Sequence, residues 1–140
     1  MKNNKIYFAF VILLIIAFFA INEYNKRQRK EEIESYKETT IAFTLEIKHY
    51  EDSSELKFYF YSNGKLFIGK QHSSDYFDKS VLNRYYVVKH DTQNPKKNYI
   101  YLNEEIQPDS ITLTKAGFKY VTYYEHDIPT NTYIKKDKWE

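Results

Sequence analysis

The sequence predicts a mainly β protein, with an N-terminal transmembrane helix followed by a small antiparallel β-barrel or sandwich. The run from Ile6 to Ile21 contains no charged residue. The chain has 15 Tyr and 10 Phe but 3 Gly and 3 Pro, which is typical of pleated, half-buried surfaces. Asn63-Gly64 between apolar segments is the strongest short signal of a β-hairpin. Beyond the first 38 residues there is enough chain for one small domain.

Residues 1–22 are predicted to be the membrane anchor, which contacts the bilayer through residues 6–22. With the residues up to Tyr24, the apolar run just reaches the length that spans a bilayer. A cleaved signal peptide is the competing interpretation, but cleavage needs small residues at both the −3 and the −1 position. Neither Phe18 with Ala20 nor Ala20 with Asn22 provides such a pair. A buried core helix is excluded because the run is apolar on all faces and only one small domain is available to bury it. We therefore expect a retained, single-pass helix.

The charges beside the anchor bear on its orientation. Five Lys or Arg follow the apolar run, whereas Lys2 and Lys5 precede it, and counting alone favours a cytoplasmic domain. A helix that begins at residue 6 after a short basic tail is nevertheless typical of anchors whose N-terminus stays in the cytoplasm. On that basis we expect an inner-membrane protein with its domain on the periplasmic side.

Residues 23–38 are charged and lack an apolar stripe. Oppositely charged residues recur four apart, as in Glu23–Arg27, Arg27–Glu31 and Lys30–Glu34, a spacing that stabilises isolated helices. The segment therefore predicts a solvated helical stalk. A second interpretation is that its basic residues attract anionic lipid, although the adjacent glutamates weaken that attraction.

Residues 39–140 are predicted to be the β domain, and residues 39–49 its first strand. Two sets of side chains alternate along this segment, Ile41, Phe43, Leu45 and Ile47 against Ala42, Thr44, Glu46 and Lys48. This period of two indicates a half-buried strand. We expect one buried face and one solvated face.

A hairpin centred on Asn63-Gly64 follows. A two-residue turn fixes its register, with the pairs Ser62–Lys65, Tyr61–Leu66, Phe60–Phe67, Tyr59–Ile68 and Phe58–Gly69. Phenylalanines then line one face, and Tyr59, Tyr61, Leu66 and Ile68 line the other. A sheet that has one face in water does not carry apolar side chains on both of its faces. Either the sheet curls into a barrel or the tyrosine face receives a partner.

For the rest of the domain, the sequence predicts one helical turn and further strands. The turn lies around residues 76–82, and the segments YYVVKH and YIYL make a strand pair joined by the loop 91–98. Further strands are expected at 111–114, 118–124 and 132–135, with a turn at 115–117.

Composition excludes several classes of function. The chain has no cysteine, which rules out disulfides, thiolate metal sites and a lipid-modified Cys. Residues 1–37 hold 7 Lys/Arg and 4 Glu, leaving 14 basic and 15 acidic residues in 38–140. Because the domain is nearly neutral, we expect no binding to nucleic acid.

Histidines are the candidates for chemistry near neutral pH. His49, His90 and His126 have acidic neighbours at expected strand ends, where polar residues collect in any case. His72 begins a His-Ser-Ser-Asp run, but neighbours in an extended chain point apart and do not form a triad. We predict no catalytic, cofactor or metal site and a protein that is not an enzyme. The alternative is an enzyme acting on envelope peptide or glycan, with His72 or His126 as its base.

Tyrosine is a common interface residue because it buries its ring while its hydroxyl stays wet. Tyr59, Tyr61, Leu66 and Ile68 are therefore the candidate partner-binding residues, although such tyrosines also pack as cross-strand pairs. We expect a membrane-anchored protein-binding module, an accessory subunit or local inhibitor of a membrane or envelope complex. A toxin-immunity protein is a special case of this function. A sensor or spacer domain is a third possibility.

Three segments, NGKLFIG, YYVVKHDTQNP and YIYLNEEI, show an NGK-like turn, a Tyr/Val strand and an apolar strand after an Asn-Pro loop. With these motifs, residues 39–107 resemble small, uncharacterised, membrane-anchored β proteins of Bacteroidetes. Asn94-Pro95 matches that pattern, but His90 stands where Tyr is usual and Thr92 where Pro is usual. We therefore expect the loop to turn differently. The resemblance implies a membrane-anchored β domain and no particular activity.

Overall fold

The computed structural model describes residues 2–140, with side chains from Lys5 onward. The chain divides into two compact units, of which the first ends at Tyr36 and the second comprises Lys37–Glu140. The side chain of Lys2, predicted to flank the membrane, lies outside the described residues.

The first unit is built on helix α1 (Lys2–Glu34). Its described part, Lys5–Glu34, is long and apolar enough to cross a membrane, and none of its most apolar stretch is buried. The predicted pair Lys30–Glu34 is present at 3.8 Å. The helix ends before residue 38, where we had placed the end of the stalk, because Glu38 already pairs with His90 in the β-sheet.

Five strands of the second unit form one antiparallel sheet in the order β3-β2-β1-β4-β5. The strands are β1 (Glu38–His49), β2 (Ser54–Ser62), β3 (Lys65–Ser73), β4 (Tyr85–His90) and β5 (Asn98–Ile106). A 3₁₀ turn, Lys79–Val81, lies within the predicted helical turn. The sheet is not closed into a barrel, so of the two predicted architectures the sandwich-like one fits.

The β2–β3 hairpin has the register that its turn predicts. Asn63 and Gly64 both have positive φ, 50° and 72°, as a type I′ turn requires. All five predicted pairs, from Ser62–Lys65 to Phe58–Gly69, are present. The prediction of two apolar faces is therefore confirmed.

Each face of the sheet carries its own core. One core contains Phe58, Phe60, Ala42, Tyr86, Val88 and Ile100, and the other contains Tyr59, Ile41, Leu113 and Phe118. The prediction that Ala42 and Thr44 lie on a solvated face of β1 is wrong, since both are buried. The reason is that β1 is the central strand, so both of its faces are covered there. The Thr44 hydroxyl donates to the carbonyl of Val81 at 2.6 Å, which satisfies the buried polar group.

Residues 111–114, predicted as a strand, instead lie in a helix, α2 (Ser110–Lys115). The Asp109 carboxylate caps its first turn by accepting from the Thr112 N–H at 2.8 Å. Gly117, with φ 97°, ends it in a Schellman motif, where the Phe118 N–H donates to the Leu113 carbonyl at 3.0 Å. Caps at both ends outweigh the β propensity of the Ile and Thr residues between them.

The last two strands, β6 (Tyr120–Asp127) and β7 (Thr132–Trp139), form a separate two-stranded sheet. They confirm the strands predicted near 118–124 and 132–135, although both extend further along the chain. Tyr120 pairs with Trp139, and beyond them the backbones of Lys119 and Glu140 exchange hydrogen bonds of 2.7 and 2.8 Å. This pairing fixes Trp139 at the base of the hairpin.

Candidate partner-binding cleft

An apolar cleft of about 350 Å³ lies over the tyrosine face of the β2–β3 hairpin. Its lining residues are Phe43, Leu45, Tyr59, Tyr61, Leu66, Ile68, Tyr85, Lys138, Trp139 and Glu140. This set, here called the cleft, includes all four candidate partner-binding residues. The structure therefore brings together the side chains that the hairpin register placed on one face.

The floor of the cleft is a row of side chains that runs across four strands. Ile68 pairs with Tyr59, Tyr59 with Phe43, and Phe43 with Tyr85. Residues directly opposite each other in antiparallel strands project from the same face with Cβ atoms about 5 Å apart. The register of β3, β2, β1 and β4 thus assembles the floor without any loop residue.

Tyr59 is the most deeply buried member of this row, with 8% of its surface exposed. Its ring lies 5.6 Å from that of Phe118 and 5.8 Å from that of Phe43. Its hydroxyl is 3.5 Å from the carbonyl oxygen of Trp139. Tyr61, which is half-buried, also packs on Phe118, at 5.4 Å. Both tyrosines therefore support the fold as well as lining the cleft.

Leu66 and Ile68 are the accessible members of the predicted set. They are 51% and 53% exposed, although both are aliphatic and both line the cleft. They lie on β3, which is at the edge of the sheet. A ligand can therefore reach them without displacing any packed side chain.

The far wall of the cleft comes from the end of β7. The Trp139 ring packs edge-on against Tyr120 at 5.3 Å. Lys138 and Glu140 form an ion pair of 3.0 Å at the rim. The cleft thus has an aromatic interior and a charged rim, the arrangement common in protein interfaces.

The tyrosine hydroxyls of the cleft are kept neutral. Burial raises the pKa of Tyr59, and the nearby Tyr85, Tyr61 and Glu140 raise it further. Burial also raises the pKa of Tyr61, with a second contribution from Glu140, and burial alone raises that of Tyr85. A tyrosine hydroxyl is already neutral at neutral pH, and these shifts extend that neutral state to more alkaline pH. The cleft therefore offers rings and neutral hydroxyls, which suit the binding of apolar groups.

His72, one of the two candidate bases, lies outside the cleft. Its Nε2 is 3.2 Å from Oε2 of Glu55, whose Oε1 is 3.2 Å from the ammonium of Lys70. The Glu55 carboxylate is buried, whereas the His72 side chain is 67% exposed. The arrangement is an ion-pair cluster on the surface of the β2–β3 hairpin.

The other histidines lie apart from one another. His126, the second candidate base, has Nε2 3.2 Å from Oδ1 of Asn131 in the turn between β6 and β7. His90 is buried, and its Nδ1–H donates to the Asp91 carbonyl at 3.0 Å. Across the described residues, no group of three or more His, Asp or Glu is arranged to hold a metal ion.

Six lining residues were not among the sequence candidates: Phe43, Leu45, Tyr85, Lys138, Trp139 and Glu140. Phe43 and Leu45 carried a usable signal, since both were placed on the apolar face of the first strand. No local pattern in the sequence pointed to Tyr85 or to the end of β7, because their positions depend on which strands become neighbours. Trp139 also lies beyond the last strand that the sequence predicted.

No protein-family model matches this chain, and neither the curated proteins nor the solved structures include one with significant similarity to it.

Proposed function

We propose that this chain is a membrane-anchored protein-binding module whose cleft receives apolar side chains of a partner protein. In this role it acts as an accessory subunit or local inhibitor of a membrane or envelope complex. A toxin-immunity protein is the special case in which the partner is a toxin.

The observation that carries the proposal is the uncovered cleft with Leu66 and Ile68 half exposed on its edge. Its volume lies at the lower end of the range of ligand sites. Exposed apolar patches rimmed by polar residues mark interaction sites, and protein interfaces combine an apolar core with a polar rim. The neutral charge of the domain also favours a protein partner over nucleic acid.

The finer localisation is part of the same proposal. Residues 6–22 of α1 would hold the chain in the inner membrane, with the cleft on the periplasmic side. The short basic tail before the apolar run supports this orientation. A reporter active only in the periplasm, fused after Glu140, should be active, and an inactive fusion would place the domain in the cytoplasm.

The enzyme alternative receives no support from the cleft. His72 and His126 both lie outside it. His72 contacts the buried carboxylate of Glu55 in its own hairpin, and His126 lies in a separate pocket with Glu125, Asp127 and Lys136 of the β6–β7 hairpin. The proposal therefore assigns no catalytic role to either histidine.

Affinity purification of the full chain from detergent-solubilised membranes tests the proposal. The Leu66→Ser/Ile68→Ser double variant should lose a partner that the wild type retains in stoichiometric amount. Ile111→Ser is the matched control, because Ile111 is an aliphatic residue outside the cleft that is at least as exposed as Leu66 and Ile68. The proposal fails if the partner stays bound to the double variant, or if both variants lose it alike.

A further inference from the structure

Strand β3 is an open edge of the sheet. Its one hydrogen-bonded neighbour is β2, and the nine residue pairs between them run from Ser62–Lys65 to Ser54–Ser73 without a bulge. Strand β5 approaches β3 on the face opposite the cleft, where Oδ1 of Asn98 would lie 2.6 Å from a Cβ on Gly69. Proteins usually protect an edge with a bulge, a proline, a covering segment or charged side chains. The segment 65–73 contains no proline, and its charged edge residues are Lys65 and Lys70.

The hydrogen-bonding groups on this edge follow from the turn. The turn pairs Ser62 with Lys65 by hydrogen bonds, and bonded and non-bonded pairs then alternate along the antiparallel ladder. Leu66, Ile68 and Lys70 therefore direct their N–H and C=O groups away from β2. Within the described residues, no backbone hydrogen bond from another element reaches them.

The same three residues project their side chains on the cleft face of the sheet, because side chains alternate along a strand. Leu66 and Ile68 line the cleft, and Lys70 follows them on that face. An incoming strand that bonds to this edge would place every second side chain over Leu66, Ile68 and Lys70. Backbone and side-chain recognition are thus combined on one strand.

The charges on β3 indicate what the incoming strand carries. Lys70 lies directly opposite Lys57, and such like-charged pairs are unfavourable. Its ammonium shares the buried carboxylate of Glu55 with His72. Within the β2–β3 hairpin, Lys57 and Lys70 thus bring two ammonium groups to the face that carries the one carboxylate of Glu55. A carboxylate opposite Lys70 on the outer side would balance the second ammonium, whereas a second β3 would bring more lysines to the edge.

We propose that the cleft captures an extended segment of its partner protein as an added β-strand on the edge of β3. The segment carries apolar residues opposite Leu66 and Ile68 and an acidic residue opposite Lys70. Its main chain bonds to β3, and its apolar side chains enter the cleft, which is the division of roles in strand addition. This inference rests on the proposed function and names the mode of binding.

The incoming strand could run parallel or antiparallel to β3, so one probe is needed for each direction. Both probes are seven-residue threonine peptides with capped ends, in which three threonines are replaced. One carries Val at positions 2 and 4 and Glu at 6, and the other carries Glu at 2 and Val at 4 and 6. With the full chain in lipid nanodiscs, one peptide should slow amide exchange of Leu66, Ile68 and Lys70 about tenfold. The amide of Phe67, already bonded to β2, should not change.

A pair of variants separates strand addition from simple filling of the cleft. Lys70→Pro removes an outward N–H, which an edge strand tolerates, and keeps Leu66 and Ile68. Lys70→Ala removes the same ammonium and keeps the N–H. We expect Lys70→Pro to bind the peptide at least about tenfold more weakly than Lys70→Ala, because it also blocks the adjoining main chain.

The outcomes distinguish this inference from the proposed function. Equal binding by the two Lys70 variants, with binding lost in Leu66→Ser/Ile68→Ser, would overturn strand addition and leave the cleft as the binding site. Failure of both peptides to bind wild type at about 1 mM would overturn the inference, while the partner-capture test of the cleft would remain independent. If the wild type forms a dimer in which the amides of Leu66, Ile68 and Lys70 are protected without any peptide, the edge pairs with a second copy of this chain. That result would overturn the inference that it binds a strand of a partner protein.

Discussion

Tyr59 and Ile68 lie opposite each other on neighbouring strands, but they differ sixfold in exposure, at 8% and 53%. Phe118 and Trp139 cover Tyr59, and neither covers the outer end of the row. The same alternation therefore produces a packed residue and an accessible one. This difference decides which substitutions test binding and which test folding.

Replacing Tyr59 with Ser should destabilise the domain by about 3 kcal/mol, because it leaves a cavity beneath Phe118 and Phe43. Tyr59→Phe keeps the ring and loses only the long contact to Trp139, so it should cost less than about 1 kcal/mol. Urea unfolding followed by Trp139 fluorescence, the signal of the single tryptophan, measures both. Equal stability of Tyr59→Ser and wild type would show that Tyr59 is not a packing residue.

Helix α2 shows how a short element positions the cleft. Its single buried residue, Leu113, packs in the same core as Tyr59 and Phe118. The Schellman motif at Gly117 then turns the chain so that Phe118 meets Tyr61, whose Cβ would lie 2.7 Å from a Cβ on Gly117. The helix is thus held by its caps and by one apolar contact.

The N-cap of α2 should make stability depend on pH. Hydrogen bonds from the Thr112 hydroxyl and N–H hold the pKa of Asp109 below its ordinary value. Its contribution is therefore complete above the unfolded-state pKa of about 4 and is lost as the pH falls through the lower folded-state pKa. We expect a higher urea midpoint for wild type than for Asp109→Ala at neutral pH, with a difference that shrinks in acid.

Asp109→Asn is the control, because Asn caps a helix but does not titrate. Its midpoint relative to Asp109→Ala should change little with pH, since the other carboxylates titrate in both variants. A wild-type advantage over Asp109→Ala that stays constant down to about pH 3 would contradict the role of this carboxylate.

The elements that the sequence predicted well are those whose signals are local. Asn63-Gly64 contains the whole turn, so the register of β2 and β3 followed from it. The error at 111–114 came from weighing Ile and Thr as strand residues over Asp109 and Gly117, which mark the two ends of a helix. Four of the ten residues that line the cleft followed from the hairpin, whereas Tyr85 and Trp139 reach it through pairings between distant segments.

At the scale of the whole molecule, the chain consists of an apolar helix long enough to cross a membrane and a β domain with its own two cores. The basic excess of the chain lies in residues 1–37. The domain is therefore left nearly neutral. This division fits the proposed role, in which the helix would hold the chain in the membrane and the domain would bind the partner.

The helix should remain part of the mature chain. Mass spectrometry of the alkali-washed membrane fraction should find the intact 17.0 kDa protein. Leu13→Lys/Leu14→Lys should release it, because each central Lys costs about 3 kcal/mol of insertion, whereas Asn25→Lys beyond the apolar run should not. A chain lighter by the mass of its apolar run would indicate a cleaved signal peptide.

The most direct test of the cleft is site-specific photo-crosslinking in native membranes. A photoreactive amino acid at position 68 should give one discrete adduct heavier than 17.0 kDa, and the same group at position 111 should give none. Adding Leu66→Ser should weaken the adduct, because that change removes part of the same apolar surface. No adduct at position 68, or equal adducts at both positions, would contradict the claim that this cleft binds a partner protein.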